Sequence, residues 1–181
     1  HFYIPFREDQ HKGRLRDVAS HDCGDSTEQI AAYLGITDFI TTISTACSSA
    51  ANAIMLGARL IKSGYLDAAI VGGTDALCRF TMNGFNYLLI LDKEHCRPFD
   101  QTRAGLNLGE GAGYLVLQPE NNVSNPPYCE LAGYANINEA YNQTGSSPEG
   151  DGPYKSMLEA IKMSGIRQEQ IDYINLHGTG T

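Results

Sequence analysis

The chain has 181 residues, of which 42% are hydrophobic and 19% are charged, and this usage is typical of a folded domain with a sizeable core. The formal net charge of −8 at pH 7 disfavours nucleic acid as the main partner, because nucleic acids are bound by basic surfaces. No apolar run reaches the roughly 18–20 residues that span a bilayer, so we expect a cytoplasmic protein without a membrane span.

The first 120 residues are predicted to alternate between helices and strands. Apolar side chains recur at helical spacing in two segments, and glycines mark where those helices end. Short β-branched or apolar runs predict the strands. The predicted elements are a helix capped by Ser26 or Thr27 and ended by Gly35, a strand over 38–45, a helix over 52–62 before Gly64, a strand over 67–71, helix and loop over 81–91, and a strand over 113–117.

The remaining residues follow a polar linker that contains prolines, at 121–127. Beyond it the pattern predicts a strand over 130–138, a glycine and proline loop over 145–153, and a helix from Tyr154 to Ser164 that Gly165 ends. The last predicted element is a strand that leads to His177.

Cys47 lies between a predicted strand and a predicted helix, among the small residues of Ser44-Thr45-Ala46-Cys47-Ser48-Ser49-Ala50. The unpaired N–H groups and the dipole of a helix N-terminus favour the thiolate, which is the nucleophilic form of cysteine. The small neighbours allow a tight turn and leave room for an acyl group. A buried structural cysteine is the alternative, since free cysteine is among the most buried residue types. From these residues alone both interpretations stay open.

His177 is predicted to lie at the carboxyl end of the last strand, directly before Gly178-Thr179-Gly180-Thr181. Ligands of open α/β sheets bind outside the carboxyl ends of the strands. Two glycines there permit close backbone approach, and two threonines supply hydroxyl groups. A structural histidine is the alternative, and this segment by itself favours a catalytic histidine only modestly.

Neither the cysteines nor the glycines of the chain predict a cofactor site. The glycines of 105–113 precede a strand, whereas a dinucleotide loop follows a strand and precedes a helix, so we reject nucleotide binding. We expect Arg97, Asp100 and Arg103 to brace that loop. Without CxxC spacing, neither a disulfide framework nor a metal site is indicated. The five cysteines are Cys23, Cys47, Cys78, Cys96 and Cys129.

Short motifs follow one another in order along the chain up to its last residue. They are Thr45-Ala46-Cys47-Ser48-Ser49, Val71-Gly72-Gly73-Thr74-Asp75-Ala76, Arg97-Pro98-Phe99-Asp100, Gly109-Glu110-Gly111-Ala112-Gly113 and His177-Gly178-Thr179-Gly180-Thr181. In order and spacing they resemble the β-ketoacyl synthase family, the condensing enzymes of fatty acid and polyketide synthesis. The resemblance extends from about Thr27 to Thr181 and is looser over 1–25.

The resemblance implies an α/β, thiolase-like fold of stacked α-β-α-β-α layers, of which only part is present. Residues 1–120 would form the later part of the N-terminal half, with the nucleophile. Residues 121–181 would open the C-terminal half, with the catalytic histidine. Members of the family continue past this motif with a lysine, a second histidine and a phenylalanine. We therefore expect an internal fragment that is inactive alone.

The resemblance also implies a decarboxylating condensation without metal or cofactor. Cys47 would take the acyl chain from an acyl carrier protein, and His177 would stabilise the enolate formed from the malonyl-loaded carrier. Thr179 and Thr181 would bind the pantetheine arm, and the intact enzyme would be a homodimer. The alternatives are a non-catalytic partner of the chain-length-factor type and a thiolase-type relative that uses coenzyme A esters.

An acidic chain needs a local basic patch to dock an acidic carrier protein. The candidates are Lys12, Arg14 and Arg16 near the start, or Arg59 and Lys62 late in the helix after Cys47. A solvated surface is the alternative interpretation of both groups.

Overall fold

A computed structural model describes residues 3–14, 18–123, 125–142 and 145–181. Its helices are α1 (Tyr3–Glu8), α2 (Asp25–Leu34), α3 (Ser49–Lys62), α4 (Arg79–Tyr87) and α5 (Asp151–Ser164), and its strands are β1 (Ala69–Asp75) and β2 (Gly111–Leu117). Short 3₁₀ turns lie at Ala19–His21, Glu120–Asn122 and Gln168–Gln170.

The chain divides into two compact units, of which the first ends at Ser49 and the second comprises Ala50–Thr181. This division by compactness lies elsewhere than the family-based division after residue 120, which stays a prediction. None of the helices in the described ranges has both the length and the apolarity to cross a bilayer.

Helix α2 is the main element of the first unit. It ends where predicted, at Gly35, which adopts φ 69° and donates its N–H to the carbonyls of Ala31 and Ala32. It begins earlier than predicted, because Gly24 takes the N-cap position in place of Ser26 or Thr27 and caps the helix without a side-chain bond. Ala31 is the buried residue of this helix. The local sequence thus predicts the C-terminal end of α2 correctly but not its start.

The predicted strand over 38–45 is wrong for the described chain. No strand forms there, and the pairing nearest to it is an isolated bridge between Thr45 and Cys47. Thr42 is instead held by its hydroxyl, which donates to the Thr27 hydroxyl at 2.8 Å. A β-branched run becomes a strand only when a neighbour completes the ladder of backbone hydrogen bonds, and no strand of the described chain pairs with this segment.

An antiparallel pair of strands lies at the centre of the second unit. Strand β1 runs from Ala69 opposite Leu117 to Asp75 opposite Gly111 in β2. Val71 is buried on this pair. A Cβ atom at Gly57 of α3 would lie 2.6 Å from Val71 Cγ1, so glycine allows the helix to approach the sheet closely.

The strands predicted over 130–138 and before His177 are also wrong for the described chain, whose sheet has only two strands. Exposure explains the second failure, because Tyr173, Ile174 and Leu176 are 79%, 56% and 58% exposed and neither face of the segment is covered. Helix α5 begins at Asp151, three residues before the predicted start, and ends before Gly165 as expected. Whether these predicted strands form thus depends on pairing with distant segments rather than on the local sequence pattern.

Candidate active site

Cys47 lies on a tight turn that leads directly into α3. The N–H of Ser48 donates to the Thr45 carbonyl at 3.3 Å, and that of Ser49 donates to the Ala46 carbonyl at 3.1 Å. Ala46 adopts φ 54°, in the left-handed region that residues other than glycine rarely enter. Such strained positions cluster at functional sites, where the surrounding contacts hold them.

Two serine hydroxyls hold this turn closed. Ser49 Oγ donates to the Ala46 carbonyl at 2.6 Å and accepts the Thr45 N–H at 2.8 Å. Ser48 Oγ donates to the Thr45 carbonyl at 2.8 Å. The Cys47 side chain is exposed, and its sulfur makes no hydrogen bond to any described residue. The turn therefore presents an accessible, unoccupied thiol, unlike a buried structural cysteine.

The segment of His177 turns twice through glycine. Gly178 adopts φ 56° and Gly180 adopts φ 74°. Between and beyond them, the hydroxyls of Thr179 and Thr181 are hydrogen-bonded to each other at 2.8 Å. The His177 imidazole is exposed and makes no hydrogen bond within the part of the chain that the structure describes. Both threonines thus lie beside His177 on one short, kinked segment.

This segment is attached to the loop of residues 92–107, which we call the brace loop. Cys96 Sγ donates to the Thr179 carbonyl at 3.1 Å, and Arg103 Nε donates to the Thr181 carbonyl at 3.2 Å. The sequence offered no signal for the contact of Cys96. Arg103 was predicted to brace the glycine loop of 105–113, but in the structure its side chain donates to the carbonyls of Thr181 and Asp100.

Arg97 organises the brace loop through bonds to Asp92, Glu94 and Thr102, rather than the glycine loop of 105–113 that it was predicted to brace. Its Nη1 lies 2.8 Å from Glu94 Oε2, and its Nη2 lies 3.3 Å from Asp92 Oδ2 and donates to the Thr102 carbonyl at 3.1 Å. The bond to Glu94 raises the pKa of Arg97 above its usual value. Asp100 accepts both the N–H and the hydroxyl of Thr102 at 2.6 Å, and these bonds lower the pKa of the Asp100 carboxyl. The loop is held by charge-assisted bonds, which are stronger than neutral ones.

The structure brings His177, Thr179 and Thr181 together, whereas Cys47 belongs to the other compact unit. A joint role of Cys47 and His177 in one reaction therefore stays a prediction. Across residues 3–14, 18–123, 125–142 and 145–181, no three His, Cys, Asp or Glu side chains form a group that could hold a metal ion.

A separate cavity of about 250 Å³ lies at the start of α5. Glu139 closes one side of it, where its carboxylate accepts the Ser147 hydroxyl at 2.6 Å and the Gly152 N–H at 3.2 Å. The hydrogen bond from Ser147 is the main cause of a lowered pKa of Glu139. Glu139 thus supplies the start of α5 with a carboxylate acceptor from outside the helix.

The predicted docking patches are only partly within the described residues. Arg16 lies outside them. In the other patch, the Arg59 guanidinium lies over the Tyr134 ring, 5.8 Å from its centroid. This distance is within the range of a cation–π interaction.

Comparison with known proteins identifies the family of the chain. Residues 22–122 match the beta-ketoacyl synthase N-terminal domain, and residues 128–181 match the beta-ketoacyl synthase C-terminal domain. A 3-oxoacyl-(acyl-carrier-protein) synthase 2 from Rhizobium meliloti is 37% identical over 151 residues, which are 77% of this chain and 36% of that protein. The synthase of the same name from Staphylococcus aureus is 33% identical over 86% of this chain and 41% of its own. The chain thus spans less than half the length of these curated relatives.

Solved structures give the same result for the fold. A complex of a ketosynthase with its chain length factor from Xenorhabdus doucetiae includes a chain that is 39% identical, with a TM-score of 0.82 over 96% of this chain and 45% of that one. The ishigamide ketosynthase/chain length factor matches at 32% identity and a TM-score of 0.91, over 97% of this chain and 44% of that one. The predicted α/β, thiolase-like fold is confirmed, and the chain belongs to the beta-ketoacyl synthase family.

Proposed function

We propose that the intact protein condenses an acyl chain held on Cys47 with a malonyl-loaded acyl carrier protein, releasing carbon dioxide and a 3-oxoacyl carrier. The observation that best supports this proposal is the exposed Cys47 thiol, which makes no hydrogen bond within the described ranges and lies two residues before α3. An exposed thiol on a turn before a helix is accessible to an incoming thioester, so this position suits a nucleophile.

In the first stage, the Cys47 thiolate attacks the carbonyl carbon of the acyl carrier's thioester. A new carbon–sulfur bond forms at Cys47, the old one to the carrier breaks, and the carrier leaves as a thiol after taking up a proton. One thioester replaces another, so the transfer is nearly balanced in free energy. The strained turn at Ala46 supports this role, since it presents the sulfur outward instead of packing it.

In the second stage, the malonyl group loses carbon dioxide, and the electron pair of the broken carbon–carbon bond forms an enolate. The enolate carbon attacks the thioester on Cys47, and the Cys47 sulfur leaves as a thiolate. His177 would donate a hydrogen bond to the malonyl thioester oxygen while negative charge develops there. Such a donor contributes about 3–4 kcal/mol of barrier reduction in enzymes where it has been removed. The imidazole is available to a substrate because it makes no hydrogen bond to any described residue.

Thr179 and Thr181 would bind the pantetheine arm of the carrier. Their mutual bond uses the hydrogen of one hydroxyl only, so the other hydroxyl can still donate to an amide of the arm. The carrier protein, loaded with acyl or malonyl groups, is therefore the proposed partner. We also infer a homodimer that pairs through residues 38–45, because this run is β-branched and nearly uncharged.

The chain-length-factor alternative has one observation in its favour, since the two similar structures described above both contain a chain length factor. Cys47 argues against it, because a partner without catalytic function needs no nucleophile. The thiolase-type alternative predicts that coenzyme A esters replace the carrier-bound donors.

The test separates the two stages in the intact protein. Radiolabelled acyl carrier is expected to label the wild type and the His177→Ala variant, but not the Cys47→Ala variant. With malonyl carrier added, only the wild type is expected to form the 3-oxoacyl product. No adduct on the wild type would favour the chain-length-factor alternative, and faster labelling by acyl coenzyme A would favour the thiolase type.

A further inference from the structure

We propose that Cys96 is a positioning residue for His177. Its thiol holds the Thr179 carbonyl and thereby fixes where the imidazole of His177 lies. This inference rests on the proposed function of His177, and it adds to that function a residue whose side chain is hydrogen-bonded to the backbone that follows the histidine.

The placement of His177 has to come from its backbone. The imidazole is exposed and makes no hydrogen bond to any described residue, so no hydrogen bond of the described chain orients the ring. Gly178, which follows directly, adopts φ 56° and is packed against Pro98, where an added Cβ would lie 3.5 Å from the proline ring. A segment that contains two glycines is intrinsically mobile unless other contacts hold it.

Three further contacts to the brace loop hold this backbone. Cys96 Sγ donates to the Thr179 carbonyl at 3.1 Å, and Arg103 Nε donates to the Thr181 carbonyl at 3.2 Å. Between them, Gly180 is buried so closely against the Gly105 carbonyl that an added Cβ would lie 2.6 Å from that oxygen. The bond from Cys96 is the one nearest to His177 in sequence, so it has the most direct effect on the ring.

Cys96 can transmit a fixed position because it is itself fixed. Its backbone N–H donates to Asn107 Oδ1 at 2.7 Å, and Asn107 Nδ2 in turn donates to the carbonyls of Asp92 at 3.2 Å and Glu94 at 2.9 Å. The side chain is half-buried, unlike the other four cysteines, which are exposed. A chain of hydrogen bonds thus runs from Asn107 through Cys96 to the segment of His177.

The test uses the intact protein and three variants. Cys96→Ala removes the donor with little change in volume, Cys96→Ser keeps a hydroxyl donor at the same place, and Cys129→Ala is the matched control at an exposed cysteine with no described partner. For each variant, acyl labelling of Cys47, condensation with malonyl carrier and thermal unfolding are measured. His177→Ala is measured beside them.

Cys96→Ala is expected to lower condensation about threefold to tenfold, the factor for one ordinary hydrogen bond, while acyl labelling stays within about twofold of wild type. Cys96→Ser is expected to recover most of the lost condensation, and Cys129→Ala is expected to behave as wild type. A merely structural role of Cys96 would instead lower both stages alike, and that result would overturn the inference.

The outcomes also separate this inference from the proposed function. If His177→Ala abolishes condensation while Cys96→Ala and Cys96→Ser match wild type, the positioning role is refuted and the proposed function stands. If His177→Ala condenses normally, the role of His177 is refuted and the inference falls with it. A Cys96→Ala variant that does not fold is replaced by Cys96→Val, which also lacks a donor; a larger loss of condensation than of acyl labelling supports positioning, and equal loss or no loss refutes it.

Discussion

Replacing Gly180 by alanine is expected to displace the segment that contains His177. The added Cβ would lie 2.6 Å from the Gly105 carbonyl oxygen and 2.7 Å from Cys96 Sγ, closer than real Cβ atoms approach their neighbours. Because the Gly105 oxygen is a backbone atom, it cannot rotate away, and the chain itself has to move. The φ of 74° at Gly180 is a second obstacle, since alanine disfavours this left-handed conformation.

Gly178→Ala provides the matched control for this substitution. Gly178 also has a left-handed φ, 56°, but its added Cβ would lie at ordinary contact distances of 3.5 Å and 3.6 Å from Pro98. The conformational cost is about 1–2 kcal/mol at either position. Overpacking adds about 1–3 kcal/mol at Gly180 alone, so we expect a total there of about 2–5 kcal/mol.

Urea unfolding of the intact protein, followed by circular dichroism, measures both variants. We expect Gly180→Ala to lose more unfolding free energy than Gly178→Ala, by about 1–3 kcal/mol. We also expect Gly180→Ala to lower the condensation rate more than it lowers acyl labelling of Cys47. Equal losses of unfolding free energy would show that the contacts of Gly180 with Gly105 and Cys96 do not constrain the segment.

Three further substitutions test the second compact unit. Gly57→Ala places a Cβ 2.6 Å from Val71 Cγ1 and is expected to destabilise the protein by about 1–3 kcal/mol. Its control is Gly84→Ala, in open space on α4, which is expected to stabilise the protein by up to about 1 kcal/mol. If thermal unfolding gave changes in stability of the same sign for the two variants, the close packing of Gly57 on Val71 would be contradicted. Glu139→Gln is expected to destabilise the protein at neutral pH. Because the hydrogen bond from Ser147 lowers the folded pKa of Glu139, its stabilisation is complete above the ordinary carboxyl value of 4.5 and is lost as the pH falls through the lower folded value. The Tm difference between wild type and variant should therefore shrink in acid, and a difference independent of pH would refute this role.

Local sequence signals were sufficient for the C-terminal ends of α2, α3 and α5, whereas α1 was not predicted. Gly35, Gly64 and Gly165 were predicted to stop their helices, and in the structure each lies just beyond a helix in a left-handed conformation. The reason is that a helix C-terminus depends on a few adjacent residues. The starts were less certain, since α5 begins before Tyr154 and α2 begins without the predicted serine or threonine cap.

The strands could be predicted only where both members of a pair lie in the described chain. β1 and β2 were found because each completes the ladder of the other. Their starts are shifted by two residues from the predicted ones, and β1 continues to Asp75, four residues beyond its predicted end at 71. The runs over 38–45 and 130–138 have strand-like composition but no such neighbour, so they stay irregular. Composition predicts a capacity for β-structure, and pairing realises it.

The candidate site shows the same division. Cys47 and His177 were identified from their motifs, which are contiguous in sequence. The contact of Cys96 with Thr179 joins residues 83 positions apart, and no local pattern around either residue indicates it. The left-handed conformation of Ala46 could not be predicted either, because alanine does not favour that conformation.

The most direct test of the central claim is to locate the acyl group after the intact protein has reacted with an acyl carrier protein. Peptide mapping by mass spectrometry is expected to place the added mass on the peptide that contains Cys47, and to leave Cys23, Cys78, Cys96 and Cys129 unmodified. An acyl group on another cysteine, or an adduct that persists in Cys47→Ala, would contradict the account.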